Sequence, residues 1–271
     1  MQSKWKITSK QNRKIKFAMK VRNRSKREHM QLFIVEGFRE CSRAFGSGVI
    51  FEELFFCQKF FRDKMFGEFV QNIMQAGIDV FELSSDVFEK ISVRDGCDGI
   101  LAICKTWVSD YREMKVRESS LFLVVDGIEK PGNLGALMRS AESANVDAMV
   151  ICNSATDMFN HNVVRTSQGA LFSLPIFQIH RSEIYDFLIK NNVAIVVTSP
   201  SAPARYWEVD MRPPSAIVVG SEHDGLPEFW LHGQSTAVSI PQLGHSDSLN
   251  VNSAAVIVLY DAVRQRLSRR A

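Results

Sequence analysis

The sequence predicts an α/β protein whose C-terminal part contains a mostly parallel sheet. Apolar segments of strand length alternate with helical patterns along the 271 residues, which favours layers of sheet and helix. Several strand segments, such as Leu121–Val125 and Val193–Thr198, are nearly continuous in aliphatic residues. Strands of this kind are buried on both faces and are typical of parallel sheets.

The first series of elements predicts a small α/β domain at residues 31–106. Its predicted strands are Leu32–Val35, Leu54–Cys57, Ile78–Phe81 and Ile100–Lys105. Its predicted helices are Glu36–Phe45, Phe61–Ala76 and Val87–Ile91. Residues 107–119 lose the apolar pattern and gain charge, so we interpret them as a linker.

The second series predicts a larger domain at residues 120–271. Its predicted strands are Leu121–Val125, Ala148–Ile151, Val193–Thr198, Ala216–Val219 and Ala237–Ile240. Three helices are predicted. The first carries Leu134, Leu137, Met138 and Ala141 on one apolar stripe, the second is Glu183–Lys190, and the last carries Val256, Leu259, Tyr260 and Val263 on one stripe. Between the two series the chain shows no internal repeat that would suggest a solenoid.

Composition excludes several classes of protein. With 45% hydrophobic and 23% charged residues, the chain is not a disordered protein. No apolar run approaches the roughly 18–20 residues that cross a bilayer, and the basic N-terminus does not resemble a signal peptide. The five cysteines are scattered and include no Cys-x-x-Cys pair, so we expect neither a disulfide framework nor a metal site. The predicted location is the cytoplasm.

The charge is unevenly distributed, although the net charge is only +3. Residues 1–30 contain eleven Lys or Arg and a single acidic residue, Glu28, so this segment carries +10 and the remaining 241 residues carry −7. We predict a basic arm that binds a polyanion, with Lys14, Lys16, Arg22 and Arg24 as RNA contacts. A solvated tail that only aids solubility is the alternative.

Three polar loops follow predicted strands, where ligands gather in parallel sheets. The first is Asp126–Arg139, which opens a helix and so offers unpaired amides to an anion. Arg139 would add a forked donor that suits a phosphate. Helix capping by Asn133, with Arg139 on a solvated face, explains the same residues without a ligand.

The second and third loops are also richer in polar residues than turns require. Val218–Leu226 places Gly220 and Glu222 after a buried strand, although an ordinary glycine-rich turn would look similar. Ile240–Val251 has several polar residues that could cap the next helix, including Ser248 and Asn250, although a helix needs only one such cap. A Ser–His–Asp triad is a poor interpretation, because triad members usually come from distant segments and no G-x-S-x-G motif is present.

Together and in this order, the three loops resemble the SpoU family of RNA ribose 2′-O-methyltransferases, in the SPOUT superfamily. The segment Asn133–Arg139 is similar to the first motif, N-x-G-x-x-x-R, and Gly220–Leu226 to the second. Ile240-Pro241 and Ser248–Val251, followed by two alanines, are similar to the third. The stretch Asn162–Ala170 is similar to the segment that usually lies between the first two motifs.

This resemblance implies a fold, a cofactor and partners. It implies a C-terminal sheet with a deep trefoil knot, a smaller N-terminal substrate-binding domain, and S-adenosylmethionine as methyl donor. It also implies a homodimer with the active site at the subunit interface, and an RNA substrate, with 23S rRNA favoured over tRNA. The implied cofactor-binding residues are Thr198, Gly220, Ile240 and Leu249, and the implied catalytic residues are Asn133, Arg139, Glu222, Ser248 and Asn250.

The residue types suit an in-line transfer of a methyl group to a hydroxyl, since much of the rate can come from alignment. The resemblance implies Arg139 as the base, but a guanidinium is effectively always protonated. We therefore expect Arg139 to hold a phosphate and stabilise the developing alkoxide, and Arg165 to contact RNA as well. A non-catalytic RNA-binding factor is the alternative, and a nicotinamide enzyme lacks the required glycine pattern.

Overall fold

The structure is a computed structural model that describes residues 5–93, 96–221, 223–245 and 248–268. The chain divides into two compact units. The first unit comprises Met1–Trp107 and Met158–Ser173, and the second comprises Val108–Asp157 and Leu174–Ala271. The linker predicted at 107–119 thus begins at the change from one unit to the other.

A five-stranded mixed sheet forms the centre of the first unit. Its strands are β1 (Lys6–Ile7), β2 (Leu32–Glu36), β3 (Phe51–Phe56), β4 (Asp79–Leu83) and β5 (Ile100–Lys105). They lie in the order β1-β4-β3-β5-β2, and β5 runs antiparallel to both of its neighbours. Successive side chains point to opposite faces of a strand, so both faces of this apolar sheet need a cover of helices.

Helices cover both faces of this sheet. The helices of residues 5–107 are α1 (Arg13–Val21), α2 (Arg24–Met30), α3 (Phe38–Gly46), α4 (Lys64–Gln75) and α5 (Ser85–Ile91). Helices α1 and α5 bury residues against the face that carries Ile34 and Ile103. Helices α3 and α4 contact each other through Phe38 and Phe66, whose ring centroids are 4.4 Å apart.

The basic segment is part of the first unit and not a separate arm, as far as the structure describes it. Ile15, Ala18 and Val21 of α1 are buried in the same apolar cluster as the strands. Their spacing of three residues places them on one stripe of the helix, while lysines occupy the other side. The prediction of an arm missed this stripe, because the high charge of the segment conceals it.

A short segment from the second half of the sequence completes the first unit. Residues 158–173 include α6 (His161–Ser167), and two of their rings, Phe159 and Phe172, contact the fully buried Phe33 of β2. The domain prediction assigned this segment to the domain at 120–271. Aromatic packing on β2 explains why it folds with the first unit.

The second unit contains a seven-stranded sheet in which every described strand pair is parallel. Its strands are β6 (Leu121–Asp126), β7 (Ala148–Cys152), β8 (Ile176–Gln178), β9 (Ala194–Thr198), β10 (Ala204–Arg205), β11 (Ser215–Val219) and β12 (Ser235–Ser239). Their order is β10-β12-β9-β11-β6-β7-β8. All residues of β6 and β11 are buried, which confirms the predicted α/β fold with a parallel sheet.

Among the described residues of the second unit, three α-helices accompany this sheet: α7 (Pro131–Ser143), α8 (Arg181–Lys190) and α9 (Val251–Leu267). Helix α8 buries Ile184 and Leu188 in an apolar cluster with strand residues such as Val124 and Val218. Helices α7 and α9 pack against each other, so the helices that follow the first and third loops are neighbours. Within the described ranges, no helix is both long and apolar enough to cross a membrane.

Candidate active site

The loops that follow four parallel strands meet at one edge of the seven-stranded sheet. Strands β6, β9, β11 and β12 end at Asp126, Thr198, Val219 and Ser239. Because parallel strands share their direction, their carboxyl ends and the loops after them lie along the same edge. This is the edge at which the three polar loops were expected to form a site.

A cavity of about 330 Å³ opens among these loops. The four predicted cofactor-binding residues all line it, namely Thr198, Gly220, Ile240 and Leu249. Ser248, predicted as catalytic, lines it too. Further residues that line the cavity include apolar Val219, Leu226 and Val251, and polar Ser199, Ser221, His223 and Asp224.

Gly220 shapes the cavity through a close approach of backbone. A Cβ atom at this position would lie 2.2 Å from the carbonyl carbon and oxygen of Gly225, so only glycine fits. The amide of Ser221 donates to the carbonyl oxygen of Gly225 at 3.0 Å and closes the loop. Gly225 itself has φ +66°, a conformation that glycine adopts without strain.

Two asparagines join the first loop to the third. The Asn250 side chain caps α9 by accepting from the amide of Asn252 at 3.0 Å. Its Nδ2 donates to Oδ1 of Asn133, in the first turn of α7, at 3.2 Å. Ser140 lies two turns further along α7, and its hydroxyl donates to Oδ1 of Asn252, in the first turn of α9, at 2.8 Å. The two predicted catalytic asparagines are therefore held side by side.

Arg139 lies on the exposed side of α7, two turns from the start of the helix. Among the described residues its guanidinium has no hydrogen bond and no ion pair. An exposed guanidinium with its donors available suits a phosphate ligand. Glu222, the remaining predicted catalytic residue, lies outside the residues that the structure describes.

Sequence comparison identifies the family of both parts of the chain. The sequence model of the SpoU rRNA Methylase family matches residues 120–260, more than half of the chain. The chain belongs to the SpoU rRNA methylase family. In this SpoU-family methyltransferase, residues 12–102 match a second model, that of the MRM3-like substrate binding domain. Both matches agree with the resemblance seen in the three motifs.

Curated relatives and solved structures that are similar to this SpoU-family chain agree with the assignment. It is 28% identical to the 23S rRNA (guanosine(2553)-2′-O)-methyltransferase RlmP of Bacillus subtilis, over 94% of this chain and 97% of the relative. It is 31% identical to the 23S rRNA (guanosine-2′-O-)-methyltransferase RlmB of Xanthomonas axonopodis pv. citri, over 74% and 83% of the two chains. A crystal structure of an RNA 2′-O ribose methyltransferase matches with a TM-score of 0.85 and 37% identity, over 97% and 99%.

The cavity of the SpoU-family chain fits the cofactor of a solved neighbour. An rRNA methyltransferase from Sinorhizobium meliloti was solved with AdoMet bound; it matches with a TM-score of 0.87 and 25% identity, over 96% of this chain and 97% of that one. AdoMet, or S-adenosylmethionine, combines an apolar-faced adenine with polar ribose and amino-acid groups. The cavity here offers apolar walls with a few polar groups and lies at the low end of the usual size range of small-molecule sites.

Sequence reasoning missed a buried polar network under the first loop. The carboxylate of Asp126 is fully buried at the end of β6. It accepts from Nη2 of Arg181 at 3.1 Å and from Nε1 of the buried Trp230 at 2.6 Å, and Nε of Arg181 lies within ion-pair distance at 3.0 Å. The signal in the sequence was a carboxylate that ends an otherwise apolar strand, since such a group is buried only with partners.

Neighbouring Cys152 has no nucleophilic role. Burial and, to a smaller extent, the nearby Asp126 carboxylate raise the pKa of its thiol from 9.0 to about 12. The thiol is therefore protonated at neutral pH and is a poor nucleophile.

The predicted RNA-binding residues of the SpoU-family chain differ in their surroundings. The ammonium of Lys14 pairs with Glu53 and lies 5.0 Å from the centroid of the Phe81 ring, and the Arg22 guanidinium donates to the carbonyl oxygen of Ser92. Burial lowers the pKa of Arg22. These two cations serve contacts inside the first unit, whereas Lys16, Arg24 and Arg165 are exposed. Arg24 pairs with Glu28 at 2.8 Å.

Proposed function

We propose that this protein transfers the methyl group of S-adenosylmethionine to a ribose 2′-hydroxyl of ribosomal RNA, with 23S rRNA favoured over tRNA. The observation that carries the proposal is the cavity at the carboxyl edge of the second sheet. All four predicted cofactor-binding residues line it, next to the Asn133–Asn250 pair. The names of the 23S rRNA methyltransferases among the relatives support the choice of substrate.

The residues of the cavity hold and orient the cofactor. When bound, S-adenosylmethionine would supply a methyl group on a sulfonium: the methyl carbon would bond to the ribose oxygen, and the sulfur would leave as a thioether with the electrons of the broken bond. Gly220 lets the loop approach closely, while Thr198, Ile240 and Leu249 line the wall. The Thr198 hydroxyl donates to the carbonyl oxygen of Val218 at 3.2 Å, so its side chain is fixed against β11.

Arg139 and the two asparagines act on the RNA. The Arg139 guanidinium binds the phosphate next to the target ribose and stabilises the negative charge that develops on the 2′-oxygen. Asn133 and Asn250, which fix each other's amides, position the ribose, and Ser248 adds a hydroxyl at the rim of the cavity. The base that takes the hydroxyl proton stays open, because a guanidinium remains protonated. Glu222 stays a candidate from the sequence alone.

The finer organisation is part of the same proposal. The second unit carries the knotted methyltransferase fold, and the first unit, with the basic segment 1–30, binds RNA. Two chains form a homodimer with the active site at their interface. The protein acts in the cytoplasm without a metal. The relatives' functions, the parallel sheet and the charge of residues 1–30 support this organisation.

Replacing Arg139 with alanine tests the proposed role of this residue. We expect Arg139→Ala to lower methylation of rRNA by about 100-fold or more, as when a charge-stabilising group is removed, while the affinity for S-adenosylmethionine stays within about twofold. Transfer of a radiolabelled methyl group to rRNA and calorimetry measure the two quantities. Arg112→Ala is the matched control, because Arg112 is an exposed arginine that pairs with Asp110 away from the cavity.

Each outcome separates the proposal from a non-catalytic RNA-binding factor. A fully active Arg139→Ala protein would refute the role of Arg139. Calorimetric titration of the wild-type protein without any heat of S-adenosylmethionine binding would favour the binding factor. Mapping 2′-O-methyl groups in total RNA from a deletion strain and its parent then identifies the RNA and the nucleotide.

A further inference from the structure

A second cluster of arginines lies in the first unit, where α3 meets the segment 158–173. Arg39 and Arg43 are four residues apart on α3, so they share one face of that helix. Both are exposed, and both reach Gln168, the C-cap residue that follows α6. Arg165, one turn earlier on α6, is exposed as well.

Gln168 holds the two α3 arginines in place. Nη1 of Arg43 donates to the backbone carbonyl oxygen of Gln168 at 3.0 Å, and Nη1 of Arg39 donates to its side-chain Oε1 at 3.2 Å. The stem of Arg43 crosses Gly169, where a Cβ atom would lie 2.3 Å from Cδ of the arginine. Gly169 also has φ +95°, so glycine meets both requirements of this crossing.

The charge of this cluster is not balanced within the unit. Arg39 pairs with Glu40, whose side chain is only 3% exposed, at 2.7 Å. Across the described part of the chain, neither Arg43 nor Arg165 has a carboxylate within ion-pair distance. The guanidinium groups of Arg39 and Arg43, both bonded to Gln168, repel each other, and an anion placed between them would offset that repulsion.

We propose that Arg39, Arg43 and Arg165 form a binding site for RNA backbone phosphates. Each guanidinium has five N–H donors in a fixed fork, and Arg43 uses a single one of its Nη atoms on Gln168, so donors remain for phosphate oxygens. Fixed side chains lose less conformational entropy on binding than mobile ones. The site rests on the proposed function, because rRNA supplies the phosphates.

This site is separate from the basic surface of α1 and α2. Helix α1 packs on the face of the sheet that carries Ile34. The segment 158–173 packs on the opposite face, through Phe33, because neighbouring residues of a strand point to opposite faces. The first unit therefore offers cations on both sides of its sheet.

The double variant Arg39→Gln with Arg43→Gln tests the site. Binding of a fluorescein-labelled fragment of 23S rRNA to the full chain is followed by fluorescence anisotropy over a series of KCl concentrations. Each phosphate contact contributes about 0.7–0.9 to the slope of log K against log salt, so the double variant should lower the slope by about 1.5. Adding Arg165→Gln should lower it by nearly one more.

Two further variants keep this test specific. The control Lys59→Gln with Lys105→Gln removes two exposed positive charges from the same unit but outside the cluster, and it should change the slope by much less. The variant Arg39→Lys with Arg43→Lys keeps the charges but loses the forks, so it should restore most of the slope and only part of the affinity. Circular dichroism and thermal unfolding check that every variant folds.

Equal slopes for the cluster variant and the Lys59/Lys105 control would overturn the inference. If inorganic phosphate binds the cluster but the rRNA slope is unchanged, the site takes a free anion and the RNA proposal fails. Calorimetry with S-adenosylmethionine on the same protein distinguishes this failure from that of the proposed function. In one outcome, the chain binds the cofactor and methylates rRNA while the slope of log K against log salt does not depend on Arg39 and Arg43. That result would refute only this inference and leave the proposed function standing.

Discussion

At the scale of single residues, the cavity depends on a glycine for which no other residue can substitute. Gly220 is packed against the backbone of Gly225 and the amide nitrogen of Leu226. The contacts involve main-chain atoms, which cannot move aside as a flexible side chain could. The identity of residue 220 therefore controls the position of the whole second loop.

Replacing Gly220 with alanine should disturb the loop and weaken cofactor binding. The new Cβ would lie 2.2 Å from Gly225, so the loop must shift, and we expect at least about a tenfold loss of affinity for S-adenosylmethionine, or ~1.4 kcal/mol. Isothermal titration calorimetry measures the affinity. Gly67→Ala in α4 is the control, because a Cβ there meets nothing within 4 Å. Unchanged affinity in Gly220→Ala would contradict this account of the cavity.

At the scale of elements, a network of one carboxylate ties three separate segments together. Asp126 ends β6, Arg181 begins α8, and Trp230 follows the second loop. The carboxylate is buried and depends on its two partners, while Arg181 is 23% exposed. The network thus sets where the first loop starts and where the second loop ends.

Asp126→Asn should destabilise the second unit. It leaves the partly buried Arg181 guanidinium without a countercharge, so we expect the free energy of unfolding to fall by about 2–4 kcal/mol. Urea unfolding followed by Trp fluorescence gives this value. Asp110→Asn removes a carboxylate from an exposed pair with Arg112 and should leave the unfolding midpoint unchanged. A midpoint for Asp126→Asn equal to that of the control would show that the network contributes little.

How much the sequence predicted depended on whether the signal was local. The strands were predicted to within a few residues where they are continuously apolar, as at β5, β6 and β11. Gly220 and Ser248, from two different motifs, line the same cavity because parallel strands end at one edge of the sheet. Helix α1 was missed because three buried residues stand among lysines. The Asp126–Trp230 bond joins residues 104 positions apart, and no local pattern can reveal such a pairing.

At the scale of the whole molecule, the excess of positive charge in residues 5–30 lies on a folded surface. Helix α1 contributes the buried Ile15 and Val21 to the first unit, so removing the segment would expose the apolar core. A loss of RNA binding by the truncated chain could then come from unfolding as well as from lost RNA contacts. Point substitutions of exposed lysines are therefore the informative change. Lys16, Lys20 and Lys26 have no side-chain partner among the described residues.

Replacing Lys16, Lys20 and Lys26 together with glutamine should lower the salt dependence of RNA binding without unfolding the chain. Loss of three phosphate contacts would lower the slope of log K against log salt by about 2–3, and the thermal midpoint should stay unchanged, since the three side chains are exposed. Anisotropy titrations and calorimetric scans provide the two readouts. An unchanged slope would show that this surface does not contact the RNA.

The segment 158–173 should also hold together the two fragments of a chain that is cut between the units. Val108 is 96% exposed at the change of unit, so it is an accessible place for a protease to cut. The C-terminal fragment would still carry Phe159 and Phe172, which pack on Phe33 of the N-terminal fragment. A chain nicked there should migrate as two bands under denaturing conditions and elute as one species in native buffer, so co-elution alone would not indicate an intact backbone.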